Sequence, residues 1–167
     1  MHTTRITDGV ERVVIENTLD RNREALIETA RGLSEADARR RLVPSLTTPI
    51  SLLKHAAAAE RIWFQRFWAG LDEADCDGYS KRDEGTFTVT DDETLADVIA
   101  EFERASKRSR EIAGRFDLDD TKTFPGEGTV SLRWTLLAMI EEFARHAGHG
   151  DILREQIDQD RPRQPNP

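Results

Sequence analysis

Glu142, His146 and His149 are spaced by four and three residues, with Met139 three residues before them and Leu153 four after. On a helix that rhythm traces one face, so a carboxylate and two imidazoles fall where apolar side chains belong. Polar groups taken out of water need a partner, a hydrogen bond or a bound ion. A second anomaly lies ninety residues upstream. Leu52, His55, Ala56, Ala59, Ile62, Trp63 and Phe67 share a face on which His55 is the only strongly polar member. The small alanines after it leave room for a ligand or for close helix approach.

Glu142 and His146, at i and i+4, project from adjacent turns of one helix, and His55 would reach them from another. Two imidazoles and one carboxylate suit Zn²⁺ and other first-row divalent ions, and three protein ligands leave a position open for water or substrate. A different set is His55, His146 and His149, with Glu142 as the acceptor behind a ligand. A purely structural reading also stands, in which Glu142 and His146 form an ion pair and the histidines are hydrogen-bonded core residues. His2 sits at the terminus and is no candidate. An open metal position would lower the pKa of bound water, as in a metal-dependent hydrolase, with His149 or a loop acid as general base. Alternatively, the ion serves a non-enzymatic, metal-binding stress-response protein by stabilising its fold.

Four helices must place these groups. The first runs from Thr7–Val10 to Leu33 on the line Ile15, Leu19, Asn22, Leu26, Ala30, Leu33, and a short turn capped by Ser34 follows. The second starts with Thr48 as cap and Pro49 in the first turn and stops at Gly70. The third begins at TDDETL, capped by Thr90 or Asp91, and carries the stripe Leu95, Val98, Phe102, Ala105, Ser109, Ile112, Phe116. The fourth begins near Ser131, with Leu132, Thr135, Leu136, Met139, Phe143, Ile152 and Leu153 inward. At 1.5 Å per residue each is roughly 33–42 Å long. Matched amphipathic helices predict an all-α fold, a four-helix bundle. The connections at 34–47, 71–90 and 117–130 are long, so one could cross a bundle end or roof a cavity. TFTVT at 86–90 is the one short strand candidate, and Trp63, Trp68 and Trp134 read as packing residues.

Composition narrows the classes. The 167 residues carry 24 Lys and Arg against 32 Asp and Glu, a net charge of −8, with basic and acidic residues interleaved rather than gathered into a phosphate-binding patch. Nucleic acid is therefore not expected as a partner, nor a membrane, since no apolar run approaches a span. The lone Cys76, among acids that disfavour its thiolate, can form no internal disulfide. A cytoplasmic protein acting on a small molecule is expected, with a homodimer left open. Residues 1–160 read as a single domain and the Pro-rich 161–167 as a disordered tail.

SLLKHAAAAERIWF and, about ninety residues on, SLRWTLLAMIEEFARHAGHGDILRE together resemble the DinB-like superfamily of metal-binding four-helix bundles, over residues 8–158. That superfamily includes mycothiol-dependent maleylpyruvate isomerases and bacillithiol transferases. The resemblance implies an up-down-down-up bundle and a divalent metal, Zn²⁺ or Ni²⁺, held by His55, Glu142 and His146. Many members have His at the Glu142 position; the mycothiol-dependent isomerases are similar to this chain in having Glu. His149 stands where a Gln is usual, which leaves its role open. The resemblance also implies activation of mycothiol or another low-molecular-weight thiol, in a transferase or isomerase acting on a small electrophile. His149 and Arg145, the latter able to steer an anion or to pair with Glu141, are the substrate-pocket candidates; no catalytic residue is singled out.

Overall fold

The computed structural model describes residues 3–124, 126 and 128–160; His2 and the 161–167 tail lie outside them. Helix α1, Glu11–Ala30, buries Leu19, Leu26 and Ala30 of the predicted stripe. Ser34 then caps the single turn α2, Glu35–Ala38, its side chain accepting from the Asp37 N–H. Thr48 caps α3, Pro49–Glu60, in a reciprocal pair with Ser51, and Pro49 costs the first turn nothing because its missing N–H would have no helical partner there.

The second helix does not keep α winding to Gly70, as the periodicity predicts. From Arg61 to Trp68 it continues as a π-helix, closed by the Ala69 N–H donating to the Phe64 carbonyl at 2.8 Å. The wider i→i+5 turn changes which residues face inward. Phe64 and Trp68 are fully buried, while Trp63 and Phe67 are half-buried. Gly70 follows at φ +71°, a left-handed stop open to glycine.

Helix α4 spans Leu95–Ala113 and buries the predicted stripe from Leu95 to Ile112. Its cap is Thr94, rather than Thr90 or Asp91, because Thr94 and Asp97 satisfy each other's backbone N–H groups. Thr90 is instead held from outside the helix, its N–H and hydroxyl both donating to Glu93 Oε2. A short antiparallel hairpin follows, β1 Thr121–Phe124 paired with β2 Gly128–Ser131. TFTVT is no strand; it lies in a 3₁₀ turn, Glu84–Phe87, and the loop after it. Helix α5, Leu132–Gln159, starts at the predicted Ser131 cap. Its inward line holds except at Ile152, which is 58% exposed.

Long-range contacts fix how the helices run. Arg133 at the start of α5 pairs with Glu11 at the start of α1 at 2.9 Å, and Arg154 near its end donates to the Arg31 carbonyl at 2.9 Å. These two helices lie side by side in the same sense. Lys54 in α3 pairs with Glu101 in α4 at 2.8 Å, and Trp68 stacks beside Phe116, just past the α4 end, at 5.0 Å. That second pair also runs in one sense, and it opposes the first: Trp68 Nε1 donates to Thr135 Oγ1 near the start of α5 at 3.1 Å.

Two charged residues at the α-to-π junction are buried with their partners. Glu60 accepts from Arg23 Nε at 2.6 Å and Nη2 at 3.0 Å, tying α3 to α1. Arg61 donates to Glu101 at 2.7 Å and Asp77 at 2.6 Å, tying the π segment to α4 and the loop beyond it. Successive side chains thus fasten one helix to two different neighbours.

Candidate metal centre

His55, seven residues into α3, meets Glu142 and His146, which stand one turn apart near the middle of α5. The opposed directions of α3 and α5 bring them level. One oxygen, Glu142 Oε1, lies 2.9 Å from His55 Nε2 and 3.0 Å from His146 Nε2. One ligand atom from each residue falls within 4.8 Å of the other two. All three side chains are partly screened from solvent, and the two imidazole rings meet edge to face with centroids 4.9 Å apart.

The hydrogen bond from His146, with that from His55, holds the Glu142 carboxyl well below the usual carboxylate range, against desolvation that pushes the other way. The carboxylate is therefore ionised with two imidazole nitrogens turned toward it. Such a set of bases converging on one point calls for positive charge among them, supplied by protons or by a metal ion. Its donor chemistry, two imidazoles and a carboxylate with room for a further ligand, fits a divalent first-row ion. His146 Nδ1 is buried and, among the described residues, hydrogen-bonds to nothing. His55 Nδ1, by contrast, lies 2.9 Å from the Thr86 hydroxyl.

The loop between the π segment and α4 completes the surroundings. Phe87 stacks flat on the His55 ring, centroids 4.1 Å apart and planes at 10°. A cavity of about 510 Å³ opens beside His55 and Glu142, walled by Ile62, Trp63, Arg82 and Phe87. The Arg82 guanidinium lies over the Trp63 ring at 4.9 Å. Trp63 in turn meets Trp134 edge-on at 5.5 Å.

The sequence-predicted residues divide accordingly. His55, Glu142 and His146 come together. His149 is exposed, its ring 5.5 Å from that of His146, and it is not among the residues lining the cavity. Arg145 is also outside that lining and pairs with Glu141 at 2.6 Å on the exposed face of α5. Thr86, Phe87 and Arg82 carry no spacing signal, because they reach the site from an irregular loop. Trp63 stands on the His55 face in the sequence and reads there as packing.

No helix among the described residues is long and apolar enough to cross a membrane. A solved structure of a conserved protein from Enterococcus faecalis resembles this chain with a TM-score of 0.64 at 16% identity, covering 92% of this chain and 100% of that one. The likeness is one of fold. No curated protein matches the sequence. The family model for mycothiol-S-transferase matches residues 14–159, which contain all three converging side chains and the loop that surrounds them. The chain belongs to the mycothiol-S-transferase family.

Proposed function

We propose that this protein is a metal-dependent transferase that uses mycothiol, or a closely related low-molecular-weight thiol, against a small electrophile. The observation that carries the metal dependence is the meeting of His55 Nε2, His146 Nε2 and Glu142 Oε1 at one point beside an open cavity. The family supplies the thiol and the transferase chemistry. Zn²⁺ or Ni²⁺ is the ion this donor set favours. A divalent ion there supplies Lewis acidity that keeps a thiol as its nucleophilic thiolate at neutral pH.

The chain's own residues provide the rest. Glu142 contributes one negative charge and the imidazoles none, so the site keeps net positive charge toward an incoming anion. Ile62, Trp63 and Phe87 give the cavity an apolar wall that excludes water from the reacting atoms. Residues 1–160 are read as one domain, an up-down-down-up four-helix bundle. The parallel pairing of α1 with α5 and of α3 with α4, in opposed senses, supports that reading. A cytoplasmic location goes with mycothiol use.

The test is metal content with a thiol titration. Purified wild type should hold one divalent ion per chain, and His55→Ala and His146→Ala should lose it. On the Co²⁺-substituted protein, mycothiol should produce a sulfur-to-metal charge-transfer band. A protein without stoichiometric metal, or a Co²⁺ spectrum unchanged by the thiol, overturns the proposal; thiol-independent turnover would point to hydrolysis instead.

A further inference from the structure

The loop carrying residues 83–87 touches His55 twice. Phe87 covers one face of its ring, and the Thr86 hydroxyl sits 2.9 Å from its Nδ1. The second contact has a direction that the surrounding groups decide. Thr86 Oγ1 also lies 3.0 Å from the carbonyl oxygen of Asp83, and a carbonyl can only accept. The hydroxyl has a single proton, and that proton goes to Asp83. Toward His55 the same oxygen therefore accepts, so Nδ1 must carry the hydrogen. A neutral imidazole protonated at Nδ1 has its lone pair on Nε2, the atom that faces Glu142 and His146.

We infer that Thr86 is a positioning residue for the metal site: its hydroxyl, anchored on the Asp83 carbonyl, locks His55 in the Nδ1–H tautomer and aims the Nε2 lone pair at the ion. The inference rests on the metal-binding reading above. It goes beyond the three ligands, because it makes their loading depend on a loop that contributes none of them.

Three further observations support it. Thr86 is buried, so no bulk water competes for its hydroxyl. The Asp83 segment is itself tied down, its carboxylate accepting from the Gly85 N–H at 2.8 Å and from the Tyr79 hydroxyl. And the support is one-sided: His146 Nδ1 has no partner among the described residues, so the orientation imposed from behind a ligand is concentrated at His55. Hydrogen-bond partners behind metal-ligating histidines typically contribute 10–100-fold in metal affinity.

The experiment is Zn²⁺ competition against a chromophoric chelator for wild type, Thr86→Val, Thr86→Ser and His55→Ala, with long-range ¹H–¹⁵N spectra of the wild-type imidazoles. Thr86→Val keeps the shape and removes the hydroxyl, and its affinity should fall by about 10–100-fold. Thr86→Ser restores the hydroxyl without the methyl and should stay within about threefold of wild type, well short of that loss. The zinc-loaded wild type should show His55 protonated at Nδ1. Wild-type affinity in Thr86→Val, beside loss of binding in His55→Ala, overturns the role of Thr86 and leaves the metal reading standing. Equal losses in Val and Ser variants also overturn it, since the methyl and not the hydroxyl would then matter. Should Thr86→Val fail to fold, the tautomer decides: a bare Nδ1 on His55 refutes the inference without any variant. A wild type that binds no zinc removes the metal reading and this inference together.

Discussion

Two glycines of α5, two residues apart, should respond to alanine in opposite directions. Gly148 is exposed, and a Cβ built there meets nothing within 4 Å. Gly150 is buried against α1, where a Cβ would lie 2.8 Å from Thr29 Cβ and 2.9 Å from Thr29 Cγ2. Rotating the threonine relieves the second contact but not the first, which is about 0.7 Å short of an ordinary carbon contact of roughly 3.5 Å. The two helices must part by about that much. In both variants the alanine gains about 1 kcal/mol of helix propensity. Gly148→Ala should therefore stabilise by roughly 0.5–1 kcal/mol, whereas Gly150→Ala adds an overpacking cost of about 1–3 kcal/mol against the same gain. The difference between the variants cancels the propensity and isolates the overpacking, about 1–3 kcal/mol. At roughly 2–4 °C per kcal/mol for a chain of this size, the melting temperatures should separate by about 2–12 °C. Urea unfolding with linear extrapolation measures the same difference isothermally. Thr29→Ala should lessen the Gly150→Ala loss in a double-mutant cycle, with a coupling of at least about 0.5 kcal/mol. If Gly150→Ala stabilises as much as Gly148→Ala, the α1–α5 distance argued here is wrong.

The protein's single tyrosine, Tyr79, donates to Asp83 and is thereby pushed up to about 12. Absorbance titration should find that midpoint in the native protein and one near 10 in urea, and Asp83→Asn should return it toward the ordinary value. Because the folded value is raised, the contact's contribution to stability is complete below about pH 10 and is lost as pH rises through about 12. Glu60→Gln leaves the buried Arg23 facing an amide, with only Asp20 at 2.7 Å as its remaining carboxylate, and should destabilise by about 3 kcal/mol in chemical denaturation. Arg23→Met with Glu60→Leu should recover most of that loss, and a double variant as unstable as Glu60→Gln would argue against the pairing. Chelation of the metal-loaded protein should lower its melting temperature, since an ion present at 100 times its Kd stabilises by about 2.7 kcal/mol; an unchanged melt would mean that the folded state holds no ion.

The helices and their caps were legible wherever the signal was local. Thr48–Pro49 and Ser131 announce their starts through backbone chemistry that needs no distant partner. Thr94 was missed because TDDETL offers several oxygens and only the reciprocal bond with Asp97 selects one. The hairpin of Thr121–Ser131 lacks an alternating apolar pattern, since most of its residues face water. At the site, the helical period correctly aligned His55 with its face and Glu142 with His146. It placed His149 on the same face, but three further residues carry that side chain around to solvent. Thr86 and Phe87 could not be read at all, because a loop's path depends on contacts far from its own sequence.

The π segment has a consequence for how relatives of this chain can diverge. A π turn holds one residue more than the α turn it replaces, so it behaves as a single-residue insertion absorbed inside a helix. Here it lies between His55 and the cavity's aromatic wall. Deleting one residue within 61–68 would leave the ligand untouched while rotating everything beyond it, moving the indole of Trp63 away from the cavity and breaking its contact with Arg82. Homologues with identical ligands but one residue fewer in this stretch should therefore keep the metal site and present a different wall to the substrate. Along this helix, selectivity can change by insertion and deletion as readily as by substitution.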